Sequence, residues 1–112
     1  MALRSDVLRY KRDFDRLYKK GKSSGDKYVV VFYIVNSLPY TRKAFVASKK
    51  VGGAVERNRA RRLMKESFRK MEHEVEPGRD VLFIARNTIL GIGCAEVEVS
   101  MRNALEKGGL LH

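Results

Sequence analysis

A chain that performs hydrolysis with its own side chains needs carboxylates paired around a metal ion, or histidines placed as general acid and base. The 112 residues include 13 acids, two histidines and one cysteine, and these form no such grouping. The acids are scattered as helix-surface partners. His73 falls at the end of a helical stretch and His112 at the terminus, and neither has a second group at catalytic spacing. Cys94 is alone, so no intramolecular disulfide is possible, and with two histidines it makes no zinc-type ligand set. Gly91-Ile92-Gly93 lacks the third glycine of a dinucleotide fingerprint and reads as a loop. The groups that do recur at regular spacing are cations.

They concentrate in Ser48 to Lys70, SKKVGGAVERNRARRLMKESFRK. This stretch holds nine of the 24 Lys and Arg residues and only two acids, Glu56 and Glu66. Wound as a helix after Glu56, it puts Ala60, Leu63, Met64, Ser67, Phe68, Met71 and Val75 on one side, which is built for burial. Asn58, Arg61, Arg62, Lys65 and Arg69 fall on the other side, with Arg57 and Arg59 on the flanks. A face that only solubilises a helix mixes signs so that Glu and Lys pair at i,i+4, and this face does not. Arginine predominates, and its planar fork matches phosphate bidentately; Asn58 can pair with a base edge or a sugar hydroxyl. Gly52 and Gly53 allow backbone angles that a side chain forbids, and donors beside Lys49 and Lys50 can face a phosphate. The expected nucleic-acid-binding set is therefore Lys49, Lys50, Arg57, Asn58, Arg59, Arg61, Arg62, Lys65 and Arg69.

The elements that position this stripe follow from periodicity. Tyr10 to Lys20 reads as a short helix, with Gly21 as a left-handed C-cap. Leu17 reads as core. Phe14 and Tyr18, one turn apart among cations, read equally as core or as a platform for stacking unpaired bases. Lys22 to Lys27 reads as a polar loop and Tyr28 to Val35 as a central strand, apolar on both faces. Asn36 to Tyr40 reads as a hairpin connection and Arg42 to Ser48 as an antiparallel return strand. Pro77-Gly78 stops the long helix, and Asp80 to Ala85 is a third strand, buried on both faces. Cys94 to Lys107 is a closing helix, with a strand as the second reading of its first turn because Val97 and Val99 alternate. The order helix, strand, strand, helix, strand, helix gives an α+β fold: a small, mainly antiparallel sheet covered by helices.

One domain, residues 1–112, accommodates a single core. The formal net charge of +11 and the pI near 10.1 call for a polyanionic partner, nucleic acid or an anionic membrane surface. The membrane reading is the weaker, because the apolar side of the basic helix has no tryptophan and is needed to cover the sheet. The longest apolar run, Val29 to Val35, is strand-sized, and Met1 to Asp6 is polar, so the sequence points to a cytoplasmic protein.

The run KKVGxAVxRNRxRRLxKExFR, from Lys49 to Arg69, resembles the signature of the bacterial ribonuclease P protein. This family supplies the small basic subunit that works with a catalytic RNA to remove the 5′ leader of precursor tRNA. Arg12-Asp13-Phe14, Lys20-Gly21-Lys22-Ser23 and Phe83-Ile84-Ala85-Arg86 extend the likeness over nearly the whole chain. Gly53 stands where the family commonly has Asn, Ala44 where it has Gly, and there is no basic C-terminal tail. The resemblance implies a left-handed βαβ crossover containing the Arg57-Asn58-Arg59 helix, which periodicity cannot reveal. It also implies a leader groove of Phe14, Tyr18, Phe32, Asn58, Arg61 and Lys65, although Phe32 reads almost as well as core. The implied partners are the catalytic RNA and precursor tRNA, with one protein monomer per complex. Cleavage and Mg²⁺ then belong to the active site of the RNA. A ribosomal protein or general RNA chaperone is the alternative that shares the same cations.

Overall fold

The computed structural model describes residues 6–112; Met1 to Ser5, most of the polar N-terminal stretch, lie outside the described residues. The elements are α1 (Lys11–Lys20), β1 (Lys22–Gly25), β2 (Val29–Val35), β3 (Arg42–Val46), α2 (Ala54–Met71), β4 (Arg79–Ala85) and α3 (Cys94–Lys107). Single 3-10 turns at Glu72–Glu74 and Asn87–Ile89 follow α2 and β4. The fold is α+β, with a four-stranded sheet in the order β1-β2-β4-β3.

That order corrects two expectations. Lys22 to Gly25 is not loop: it is a short edge strand, antiparallel to β2, pairing Ser23 with Phe32 and Gly25 with Val30. Its polar residues suit an edge, where one side of the strand meets water. Arg42 to Val46 is a strand but does not pair with β2. β4 lies between them, antiparallel to β2 from Val29↔Ala85 to Val35↔Arg79 and parallel to β3 from Arg42↔Asp80 to Val46↔Ile84. The physical reason lies in β4 and in the connection. Val81, Leu82 and Phe83 are fully buried and call for a neighbour on each side. The segment after β2 is too long for a tight hairpin turn to impose a register. The Asn36 N–H donates to Gly78 O (2.9 Å) instead, and the chain passes beyond β4. β3, α2 and β4 thus form a parallel βαβ crossover.

Two helix ends also differ from expectation. Gly21 caps α1 in extended geometry (φ −76°, ψ 167°), not left-handed. It has to be glycine for space, since a Cβ there would sit 2.5 Å from Leu17 O and 2.9 Å from Tyr33 O. α2 stops at Met71, ahead of Pro77, and Val75 then bridges to Leu111.

One face of the sheet is closed. Ala60, Met64, Phe68 and Met71 of α2, with Val97, Met101, Ala104 and Leu105 of α3, pack on Val29, Val31, Val81 and Phe83. The Phe68 and Phe83 rings lie 5.4 Å apart, and Phe45 adjoins both at 5.7 and 5.8 Å. Leu63, expected on the buried side of α2, is only half-buried. The other face is only partly covered. There Leu8 and Leu17 pack on Ala44 and Leu82, leaving Phe14, Phe32, Ile34, Val46 and Ile84 partly buried. Covering one face with two helices and the other with a single ten-residue helix leaves a trough beside α1.

A buried ionic group fixes α1 over that trough. Asp80, 1% exposed, accepts two hydrogen bonds from Arg42 (2.8 and 2.7 Å) and one from Asn36 Nδ2 (2.9 Å). From α1, Arg16 approaches Asp80 (3.9 Å) and Asp13 approaches Arg42 (3.5 Å). The hydrogen bonds that Arg42 donates to Asp80 raise its pKa above the ordinary arginine value, against the opposing effect of burial.

Candidate nucleic-acid interface

α2 begins at a backbone that only glycine adopts readily. Gly52 has φ +150°, and a Cβ there would lie 2.9 Å from Glu56 Cβ. The Gly53 N–H donates to Glu56 Oε1 (3.0 Å), the reciprocal half of a capping box; with no side chain at Gly53, the other half is missing. Lys49 and Lys50, in the turn before it, are exposed.

The cations do not form one stripe. Arg61, Lys65 and Arg69 line a cleft of about 480 Å³ whose other walls include Phe14, Ala44 and Val46. Arg59 and Arg62 point to a separate recess beside Leu63, Glu66 and Cys94, near the start of α3. Asn58, Arg59, Arg62, Lys65 and Arg69 are exposed, while Arg57 and Arg61 are half-buried. Successive residues of α2 advance by about 100°, so five basic positions span more than one edge of the helix.

Of the six expected groove residues, Phe14, Arg61 and Lys65 meet in the cleft. Tyr18 and Phe32 pair edge to face on the same side of the sheet (ring centroids 5.2 Å, interplanar 71°) but do not line it. Tyr18 is 49% exposed, which leaves ring surface free for a ligand. Asn58 also stays outside the cleft; its Oδ1 accepts a hydrogen bond from Arg61.

Neighbouring acids decide which cations remain available to an anion. Lys43, on the cleft wall, is held between Asp6 (2.9 Å) and Glu72 (2.7 Å). Burial alone lowers its pKa, but the two carboxylates outweigh that and raise it. Arg69 pairs with Glu66. Arg61 bonds only a neutral amide, and Lys65 has no ion pair among the described residues. The cleft thus has an aromatic and aliphatic floor with uncompensated positive charge along the α2 side. Periodicity missed the Asp80–Arg42 group and the Lys43 contacts. One signal was available for the first: an acid heading an otherwise apolar strand, Asp80 before VLFIA.

A cationic helix edge above an open, aromatic-floored sheet, on a small α+β fold, has the charge and surface expected of a nucleic-acid-binding domain. Comparison with known proteins narrows this. The Ribonuclease P family model matches residues 3–109, and the chain belongs to that family. It is 37% identical over 105 residues to the ribonuclease P protein component of Alkaliphilus oremlandii, covering 94% of this chain and 92% of that one. The RNase P protein of Staphylococcus aureus superposes with a TM-score of 0.87 at 26% identity, covering 97% of this chain and all of that one (100%). The Thermotoga maritima RNase P protein gives 0.79 at 31% identity, covering 87% of this chain and 92% of that one.

Proposed function

We propose that this chain is the RNA-binding subunit of a ribonuclease P, acting in the cytoplasm as one protein per catalytic RNA. It grips the catalytic RNA through the exposed cations of α2 and its preceding turn, and the unpaired 5′ leader of precursor tRNA through the trough beside α1. The observation that carries this reading is that Phe14 meets Arg61 and Lys65 in a single cleft: a stacking surface beside phosphate-seeking charge is what a single strand requires. Cleavage belongs to the RNA, and Mg²⁺ acts in its active site. The chain contributes by neutralising phosphates. A membrane-surface role is disfavoured because the apolar side of α2 (Ala60, Met64, Phe68, Met71) is spent in the core. No helix among the described residues is long and apolar enough to cross a bilayer.

Reconstitution with a candidate catalytic RNA at low Mg²⁺ tests the proposal. The pair is expected to remove the 5′ leader, and the RNA-free chain to leave precursor tRNA intact. A ribosomal protein or RNA chaperone would bind without preferring substrates that carry a leader. Salt titration adds a quantitative check. Removing one free cation, in Arg61→Ala or Lys65→Ala, should lower the log-log salt slope by about 0.7 to 0.9. If neither variant moves the slope, the α2 edge is a solvated face.

A further inference from the structure

A second concentration of positive charge lies away from α2. Lys20 in the last turn of α1, Lys22 at the start of β1 and Arg79 at the start of β4 converge on a recess of about 270 Å³. Its apolar wall is Tyr33, Ile34 and Val35, closed below by the Gly108 to Leu110 turn. No acid lines it. The Lys20 and Lys22 side chains are exposed and make no ion pair or hydrogen bond among the described residues, while the Arg79 side chain donates to Pro77 O (3.0 Å). The C-terminal end of α1 attracts a cation and accounts for Lys20 alone. The edge position suits Lys22 and the Pro77 carbonyl holds one Arg79 nitrogen, but neither supplies a counter-ion, and like charges gathered without one repel one another.

We propose that this recess is a second RNA-binding site, taking the phosphates of an unpaired segment on Lys20, Lys22 and Arg79, with a base against the Tyr33–Val35 wall. It rests on the reading that RNA is the partner of this chain. The segment belongs either to the catalytic RNA or to a part of the leader upstream of the nucleotides in the cleft; the chemistry is the same.

The double variant Lys20→Ala/Lys22→Ala separates these sources. Its control, Lys19→Ala/Lys27→Ala, removes equal charge from exposed positions outside the recess. One arm measures affinity for the catalytic RNA alone across a salt series. The other measures holoenzyme affinity for precursor tRNAs with short and long leaders across the same salt series. The Lys20/Lys22 variant is expected to lower the log-log slope by about 1.4 relative to the control in one arm. Loss toward the catalytic RNA assigns the site there; loss only with long leaders assigns it to the upstream leader. Equal behaviour of variant and control in both arms overturns the proposal. Arg61→Ala/Lys65→Ala, run on the same RNAs, keeps the two ideas apart. If it loses affinity where Lys20→Ala/Lys22→Ala does not, only the second site fails; if neither responds, the RNA reading itself fails. Melting curves for each variant exclude unfolding as the cause.

Discussion

Asp80→Ala is expected to cost about 3 to 5 kcal/mol of stability, because it leaves the Arg42 guanidinium partly buried without its main counter-charge. Total stability for a domain of this kind is about 5 to 15 kcal/mol, so this one substitution removes a large share of it. In thermal unfolding the loss corresponds to a shift on the order of 12 to 40 °C. The expectation follows from geometry: Asp80 is 1% exposed and accepts three hydrogen bonds, two of them charge-assisted. Asn36→Ala, which removes one neutral donor, is expected to cost only about 1 kcal/mol. A loss below 1 kcal/mol for Asp80→Ala would mean that water replaces the carboxylate and that the cluster does not hold α1. A double-mutant cycle with Arg16→Ala reports how much of the effect passes to α1.

Replacing Phe14 is expected to weaken binding of precursor tRNA while sparing mature tRNA. Stacking a base on an aromatic ring contributes about 1 to 3 kcal/mol, or about 5- to 150-fold in affinity. The ring lies in the cleft with Arg61 and Lys65 and is only partly buried, so it has surface to offer a base as well as contacts with the sheet. Phe14→Ala and Phe14→Leu divide the two roles. If the ring stacks on the leader, both variants lose affinity for the precursor, since leucine restores volume but no π-face. If it only packs, leucine rescues most of the loss and any residue follows the melting temperature. Equal weakening toward precursor and mature tRNA by a well-folded variant would return Phe14 to packing or to contact with the catalytic RNA.

Much of this was legible in the sequence, for reasons that differ by element. The faces of α2 and the span of α3 were readable because helical periodicity repeats over many residues, and Cys94 and Lys107 bound α3 as expected. Leu17 emerges as core, but the sharing of Phe14 and Tyr18 between sheet and solvent depends on how much of a face α1 covers, which no local pattern encodes. The position of β3 was misread because neighbouring strands usually pair, and nothing local marks β4 as the strand that intervenes. Likewise, the division of the α2 cations between two recesses required knowing where β3 and the start of α3 lie. The Asp80 group draws on residues from Asp13 to Asp80, and such a contact has no signature at any fixed spacing.

The placement of β4 between β2 and β3 has a consequence for synthesis. The ribosome delivers β1, β2, β3 and α2 before the strand that joins them. Until Ala85 emerges, the chain can form the β1–β2 hairpin, which is marginal alone, but β3 has only its bridge to Val7 and the apolar side of α2 lacks the central strand of its sheet. Pairings this distant in sequence are slow to form. The cationic stretch of α2 is therefore synthesised before the central strand on which its apolar side packs.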